Sequence, residues 1–208
     1  MRNQASEDVI RRVLEASNRA PPGVYSPSED TYLMLDVLER TELRDKQVLD
    51  VGTGSGALGL FCAMYGAHVT VTDSDEAAIE HARNASKLLG VEVECVVSDL
   101  FSNLPGRFDL ILFNPPYLPS DGYQDRTIDG GPMGRNIISR FLDELPPHFV
   151  RGGEALLLVS SLNQPISLLE ARKEFDFLRL ARQALFFEEL QVLRVRLRDD
   201  LSSQRSDR

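Results

Sequence analysis

Apolar residues recur along this chain in two ways: at helical spacing on one side of a segment, and in short unbroken runs. Val9, Ile10, Val13 and Leu14 share one side of Ser6–Ser17, which predicts a short amphipathic helix. Residues 19–27 form a Pro/Gly loop. Ser28-Glu29-Asp30-Thr31 then reads as a helix start, with Ser28 as the cap, two acids in the positive first turn, and Leu33, Met34, Val37 and Leu38 as the buried face. From Gln47 onward strands and helices alternate. Strands are predicted at Gln47–Val51, His68–Thr72, Val93–Val97, Phe108–Phe113 and Ala155–Ser160, the last entered through a turn at Gly152-Gly153. Helices are predicted at Gly56–Tyr65, at Asp75–Leu89 with Ser74 as cap and Gly90 as stop, at Arg135–Leu145 and at Pro165–Glu174. Phe177–Gln183 and Leu190–Arg198 read as an antiparallel pair. Such alternation predicts an α/β fold: a mostly parallel sheet with helices on both faces, closed by an antiparallel strand.

Composition narrows the class. The 208 residues suffice for one domain with a sizeable core, read here as 21–198, preceded by a helical extension over 1–20 and followed by a disordered polar tail over 199–208. No apolar run approaches the roughly 18 residues of a membrane span, and the first 20 residues lack the apolar centre of a signal peptide, so a cytoplasmic protein is expected. Cys62 and Cys95 sit apart in apolar surroundings and read as reduced core residues. His68, His81 and His148 are scattered and structural, and no Cys/His cluster has metal-ligand spacing. A net charge of −9 argues against a chain that holds nucleic acid by its own phosphate contacts. It leaves room for a nucleic-acid substrate delivered by a basic partner.

The stretch that carries chemistry is Asn114-Pro115-Pro116-Tyr117, directly after a buried strand. Two prolines end the strand because neither donates to a ladder, and the residue before a proline is kept out of the helical region. Asn114 is therefore extended, with its amide and the carbonyls of Asn114 and Pro115 at a stiff corner and a ring following. Such a corner is a socket for a planar N–H group. Taken alone, the tetrapeptide is equally a structural turn.

A second constellation is Asp50-Val51-Gly52-Thr53-Gly54-Ser55-Gly56, where the first strand of the alternating region meets its helix. This is the end of a doubly wound sheet at which ligands bind. Asp73 closes the next strand and suits two ribose hydroxyls; Asp99-Leu100 follows the third and suits an adenine amine and ring. Residues 54–59 match the dinucleotide fingerprint, and Asp73 fits its ribose acid. Asp50 separates the two cofactors. A pyrophosphate wants N–H groups and a helix N-terminus, not a carboxylate at the mouth of the loop. S-adenosyl-L-methionine has no phosphate and carries a cationic amino group and sulfonium, so the carboxylate favours it.

With this loop, Asp73, Asp99 and Asn114–Tyr117 together, the chain resembles the class I methyltransferases of the HemK/PrmC-like NPPY group, whose members methylate glutamine amide, adenine N6 or guanine N2. Val24-Tyr25-Ser26-Pro27-Ser28-Glu29-Asp30-Thr31 resembles the signature of the archaeal and eukaryotic glutamine methyltransferases of class I release factors. Gly130–Arg135 with Phe141, Arg182-Gln183-Ala184 and Leu193-Arg194-Val195 resemble further parts of that subfamily. The likeness covers residues 24–198; the leading helix and Ser120–Asp129 depart from it. It implies a Rossmann-like fold with a seven-stranded, mostly parallel sheet and one antiparallel strand. It also implies that Asp50, Gly52, Gly54, Gly56, Asp73, Asp99 and Leu100 hold the donor. Thr31 should touch the donor's methionine end, and Asn114 should serve both donor and target amide. The family works with a small zinc-binding adaptor protein, so a partner is expected at the edge strand Val93–Val97.

These parts give an expected mechanism. A carboxamide nitrogen is a poor nucleophile, and no strong base stands near, so catalysis must come from placement. The Asn114 side-chain oxygen and the Pro115 carbonyl would accept the two N–H bonds, with Pro116 stiffening the corner and Tyr117 packing on the amide plane. The segment Leu118–Gly134 reads as a substrate lid. The expected acceptor is the glutamine of the Gly-Gly-Gln loop of a class I release factor. Adenine N6 and a protein lysine are alternatives, as is a non-catalytic nucleoside-binding subunit.

Overall fold

The computed structural model describes residues 4–116, 136–163 and 169–198. The seven strands make one mixed sheet, and the chain divides into two compact units, 1–105 and 106–208.

In the first unit the sequence alternates as predicted because short β-branched runs are separated by segments of helical period. Its elements are α1 (Gln4–Ser17), α2 (Glu29–Leu38), β1 (Gln47–Val51), α3 (Ala57–Met64), β2 (His68–Asp73), α4 (Glu76–Leu89) and β3 (Val93–Val97). The strands run parallel in the order β3-β2-β1, with Gln47 opposite His68 and Val69 opposite Val93. The strand β1 is buried from Val48 to Val51, as a strand covered on both faces must be. The leading helix α1 packs against α3 and α4 through Ile10, Val13 and Ala16, so this extension is part of the unit's core. Arg12 also donates to the Leu89 carbonyl at 3.3 Å, near the C-terminal end of α4.

Two caps differ from the expectation. At α4 the cap is Asp75, whose carboxylate accepts from the Ala77 N–H, while Gly90 ends the helix at φ +72° as expected. Ser28 occupies the cap position of α2, but its side chain makes no capping bond; its hydroxyl is turned onto the Glu29 carboxylate.

The second unit holds β4 (Phe108–Phe113), α5 (Asn136–Glu144), β5 (Phe149–Ser160), β6 (Phe175–Ala184) and β7 (Glu189–Leu197). Its strands lie in the order β4-β5-β7-β6; β5 is parallel to β4, and β7 is antiparallel to both neighbours. Gly152-Gly153 does not precede the strand but sits inside it. Phe149 faces Phe108 and Glu154 faces Leu110, so the glycines lie in a bulge. The bulge brings backbones so close that a Cβ on Gly153 would meet the Phe108 carbonyl at 2.9 Å. The predicted helix over Pro165–Glu174 lies partly outside the described residues. Leu169 and Glu170 are helical, but the chain then turns, with Arg172 N–H bonded to the Leu169 carbonyl. The Arg172 guanidinium is held by Asp143 and Ser139. Tyr117, the 118–134 segment, Arg135 and the 199–208 tail also lie outside the described residues.

Candidate active site

At the carboxyl end of β1 the chain has to turn sharply into α3, and Gly52, Gly54 and Gly56 do so with φ of +61°, +52° and +84°. Four hydrogen bonds hold the turn in place. Thr53 N–H donates to the Thr72 carbonyl at 2.8 Å, Gly54 N–H to Asp73 Oδ2 at 2.9 Å, Ser55 N–H to the Tyr25 carbonyl at 3.0 Å and Gly56 N–H to the Thr53 carbonyl at 2.9 Å. At Gly54 any other residue would be strained by its φ, and its Cβ would press on the Tyr25 backbone and side chain at 3.3 Å.

Asp50, on β1 and fully buried, reaches under this loop. Its Oδ2 accepts from Thr53 Oγ1 at 2.6 Å and from Gly59 N–H at 2.9 Å. Gly59 is the third residue of α3, so this is one of the helix's otherwise orphaned first-turn donors. A phosphate at the helix end would need that donor, and the carboxylate already occupies it. Burial pushes the Asp50 carboxyl up to about 6; the two hydrogen bonds oppose the shift, and Asp73 nearby adds to it. Asp50 therefore remains mostly ionised at neutral pH, at a helix N-terminus whose dipole favours the charge.

Asp73 ends β2. Its Oδ1 accepts from Asp75 N–H at 3.0 Å and its Oδ2 from Gly54 N–H. Ser74 N–H also bonds this carboxylate, so of its about four acceptor positions one stays open for a hydroxyl donor. Burial raises its carboxyl above the usual range. After β3, Ser98 N–H donates to the Asp73 carbonyl at 2.8 Å, and the Ser98 hydroxyl to the Leu100 carbonyl at 3.0 Å. This pins Leu100 at φ +48°, costly for a branched residue, with its side chain buried and Asp99 exposed beside it.

Sequence reasoning missed one feature here. Asp30, read as a first-turn acid, is fully buried. It accepts from the Tyr25 hydroxyl at 2.7 Å and from Thr31 Oγ1 at 3.2 Å. Since the Tyr25 carbonyl also holds Ser55 N–H, the Tyr25–Thr31 segment is fastened to the glycine loop. The signal available was the Tyr-x-x-x-x-Asp spacing, which helix-start chemistry explained equally well. The first unit thus brings together Asp50, Gly52, Gly54, Gly56, Asp73 and the Tyr25–Thr31 segment, with Asp99 and Leu100 attached through Ser98.

The donor set fits S-adenosylmethionine better than a dinucleotide. It offers carboxylates at three strand ends, the loop 52–56 has no basic residue, and the helix donor is used internally.

In the second unit, Asn114 follows β4, half-buried, with Pro115 buried next to it. Phe113 anchors this corner by stacking on Phe141 of α5, ring centroids 4.4 Å apart. Tyr117 falls outside the described residues. Among the described residues no group of three or more His, Cys, Asp or Glu could hold a metal ion.

Comparison with known proteins agrees with this reading. The family model described as methyltransferase small domain matches residues 16–187. A Methanocaldococcus jannaschii protein, provisionally named a protein N5-glutamine methyltransferase, is 39% identical over 181 residues, covering 83% of this chain and 91% of that protein. The E. cuniculi Mtq2–Trm112 complex, described as responsible for methylation of the eRF1 translation termination factor, matches with a TM-score of 0.70. It is 30% identical, and the match covers 84% of this chain and 99% of that one. A 16S rRNA N2 methyltransferase from T. thermophilus, solved with AdoMet and guanosine, matches with a TM-score of 0.65 at 26% identity, covering 84% of this chain and 44% of that one. With its glycine loop, strand-end carboxylates and the Asn-Pro-Pro corner, the chain belongs to the methyltransferase small domain family and is an S-adenosylmethionine-dependent methyltransferase.

Proposed function

We propose that this enzyme methylates the side-chain nitrogen of a glutamine in the Gly-Gly-Gln loop of a class I translation termination factor, in the cytoplasm. The reading is carried by one observation: the Tyr25–Thr31 segment is bolted to the glycine loop through Ser55 N–H and Asp30, in a chain that also ends β4 in Asn114-Pro115-Pro116. The resemblance to the glutamine methyltransferases rests on this same pair of segments. The E. cuniculi neighbour, whose partner chain is the termination-factor methylation complex's Trm112, supports it.

In this reading Asp73, Asp99 and Leu100 receive the nucleoside, and Asp50 and Thr31 serve the cationic methionine end. S-adenosylmethionine supplies an electrophilic methyl group on a sulfonium. The chain's own contribution is placement. Asn114 Oδ1 and the Pro115 carbonyl accept the two amide N–H bonds, which fixes the nitrogen and favours its pyramidal geometry. Pro115 and Pro116 keep the corner stiff, and Tyr117 covers the amide plane. Holding two reactants in line is worth about 7–11 kcal/mol. Once methylated, the amide nitrogen is cationic and strongly acidic, so its extra proton passes to water and no strong base is required.

A partner belongs to the proposal. The strand β3 ends the sheet order, its side chains are only partly covered, and Val97 is 44% exposed. An exposed edge strand invites another chain. We place a small zinc-binding adaptor at this edge; that the E. cuniculi neighbour is itself a two-protein complex supports a partner.

The test offers three acceptors at equal concentration: the purified termination factor, an adenine-containing duplex and a lysine-rich tail. Label from the donor is expected in the factor, and changing its loop glutamine to alanine should abolish it. Asn114→Ala should lower kcat at least tenfold, since its acceptor matters most as the nitrogen changes geometry. Methylation of the duplex with none on the factor would overturn the substrate; kcat within twofold of wild type would overturn the socket.

A further inference from the structure

The turn joining β6 to β7 carries two phenylalanines where turn chemistry asks for neither. The Leu185 N–H donates to the Glu188 carbonyl at 2.7 Å, leaving Phe186 and Phe187 as the two apex residues. Two-residue hairpin loops favour Gly, Asn or Asp, because the tight turns require positive φ. Neither phenylalanine has a positive φ. Their rings contact each other edge to face, centroids 4.6 Å apart and planes at 83°. Even so, Phe186 is 91% exposed and Phe187 84%. Folding therefore gains almost nothing from either ring. Leu162, 37% exposed, follows β5 close to the base of the same turn, where Glu189 N–H bonds to Ser161 Oγ at 3.0 Å.

The position of this apex within its own unit gives it meaning. The strand β5 runs parallel to β4 with Leu157 opposite Phe113, and Ser160 lies opposite Leu190 of β7. The Ser160 hydroxyl is bonded to the Glu188 carboxylate, which ties the turn to the carboxyl end of β5. Asn114 leaves the sheet at that same end of β4. At about 3.3 Å per residue along a strand and about 4.8 Å between strands, the apex stands roughly 20 Å from Asn114, beyond the end of the sheet. That is out of reach for a small acceptor, but within the footprint of a folded protein that inserts one loop.

The chemistry of the turn selects the partner class. Glu188 and Glu189 directly follow the rings, and Arg182 is paired with Glu189 at 3.7 Å, which leaves these three side chains one negative charge in excess. Two stacked bases would bring phosphates against this excess negative charge, and the turn itself, residues 184–189, contains no Lys or Arg to meet them. An apolar depression on a protein, with basic groups on its rim, complements two rings edged by carboxylates; aromatic side chains are enriched at such interfaces.

We infer that the Phe186–Phe187 apex is a docking element for the body of the protein substrate, away from its acceptor loop. The inference rests on the glutamine-methylation reading above and adds the surface by which the factor is held. Kinetics are measured for wild type, for Phe186→Ser/Phe187→Ser and for Phe186→Tyr/Phe187→Tyr, on the intact termination factor and on a short peptide containing only its Gly-Gly-Gln loop. The serine pair should raise KM for the factor at least tenfold with kcat within twofold, and leave kcat/KM for the peptide unchanged. The tyrosine pair should restore most of the loss. Unchanged KM for the factor in the serine pair would overturn the docking element while leaving the reaction intact. No label in factor or peptide with the wild type would overturn the reading beneath it, and the docking element with it. A KM effect confined to a nucleic-acid acceptor would overturn the partner class. A wild-type dimer that the serine pair dissociates, with kinetics unchanged, would assign the rings to a second copy of the chain.

Discussion

At the scale of single residues, Asp50 shows how one carboxylate can hold a loop and set its charge. Its side chain is fully buried and accepts from Thr53 and Gly59. Burial raises its carboxyl from 3.8 to about 6. A raised carboxyl means the folded chain binds more protons than the unfolded chain between those values. The associated stability is therefore complete below pH 3.8 and is lost as pH rises through about 6. Binding a cationic donor reverses the preference, because the ion pair needs the ionised form. Donor affinity measured by calorimetry should be level above pH 7 and weaken below pH 6, approaching tenfold per unit as Asp50 takes up its proton. Asp50→Asn keeps an acceptor for Gly59 N–H and should remove the break near pH 6. An affinity that stays level from pH 5 to 8 in the wild type would show that this charge does not serve the donor.

At the scale of elements, the closest packing at the site is that of α3 on β2. A Cβ added to Gly59 would lie 2.6 Å from Val71 Cγ1 and 3.1 Å from Asp50 Oδ2. An alanine inside a helix is ordinarily favoured over glycine by about 1 kcal/mol. Overpacking of a tight core costs about 1–3 kcal/mol. Here the crowding also displaces the carboxylate that anchors the loop. Gly59→Ala should therefore lower the midpoint of thermal unfolding and weaken donor binding together. A higher Tm with unchanged donor affinity would mean that the helix can shift away from β2 without cost. The caps teach a related lesson. Asp75 and Ser74 are adjacent cap-type residues, and only the chain's exit from β2, with Asp75 N–H bonded back to Asp73, decides between them.

At the scale of the whole molecule, a net charge of −9 and a partly covered edge strand bear on partners. The proposed adaptor pairs with β3, so Val96→Lys should reduce its co-purification severalfold while leaving donor affinity unaltered; equal recovery of the complex would remove β3 as the contact. The sequence by itself determined the alternation of strands and helices, because apolar runs and helical periods are local properties of the chain. It also determined the acid-x-Gly-x-Gly-x-Gly loop, the strand-end carboxylates and the Asn-Pro-Pro corner, since each depends on residue types at fixed spacing. Only the tertiary structure decided which polar group each carboxylate meets. Asp50 turns to Gly59, nine residues on, and the Tyr25 carbonyl to Ser55, thirty residues on. Neither pairing leaves a periodic trace. The bulge at Gly152-Gly153 was equally hidden, because a glycine pair reads the same as a turn until the opposing strand fixes the register. So was the exposure of Phe186 and Phe187. The sequence leaves the pair in the connection between two predicted strands, and only the closing of β6 on β7 puts both rings at an apex with no core to enter.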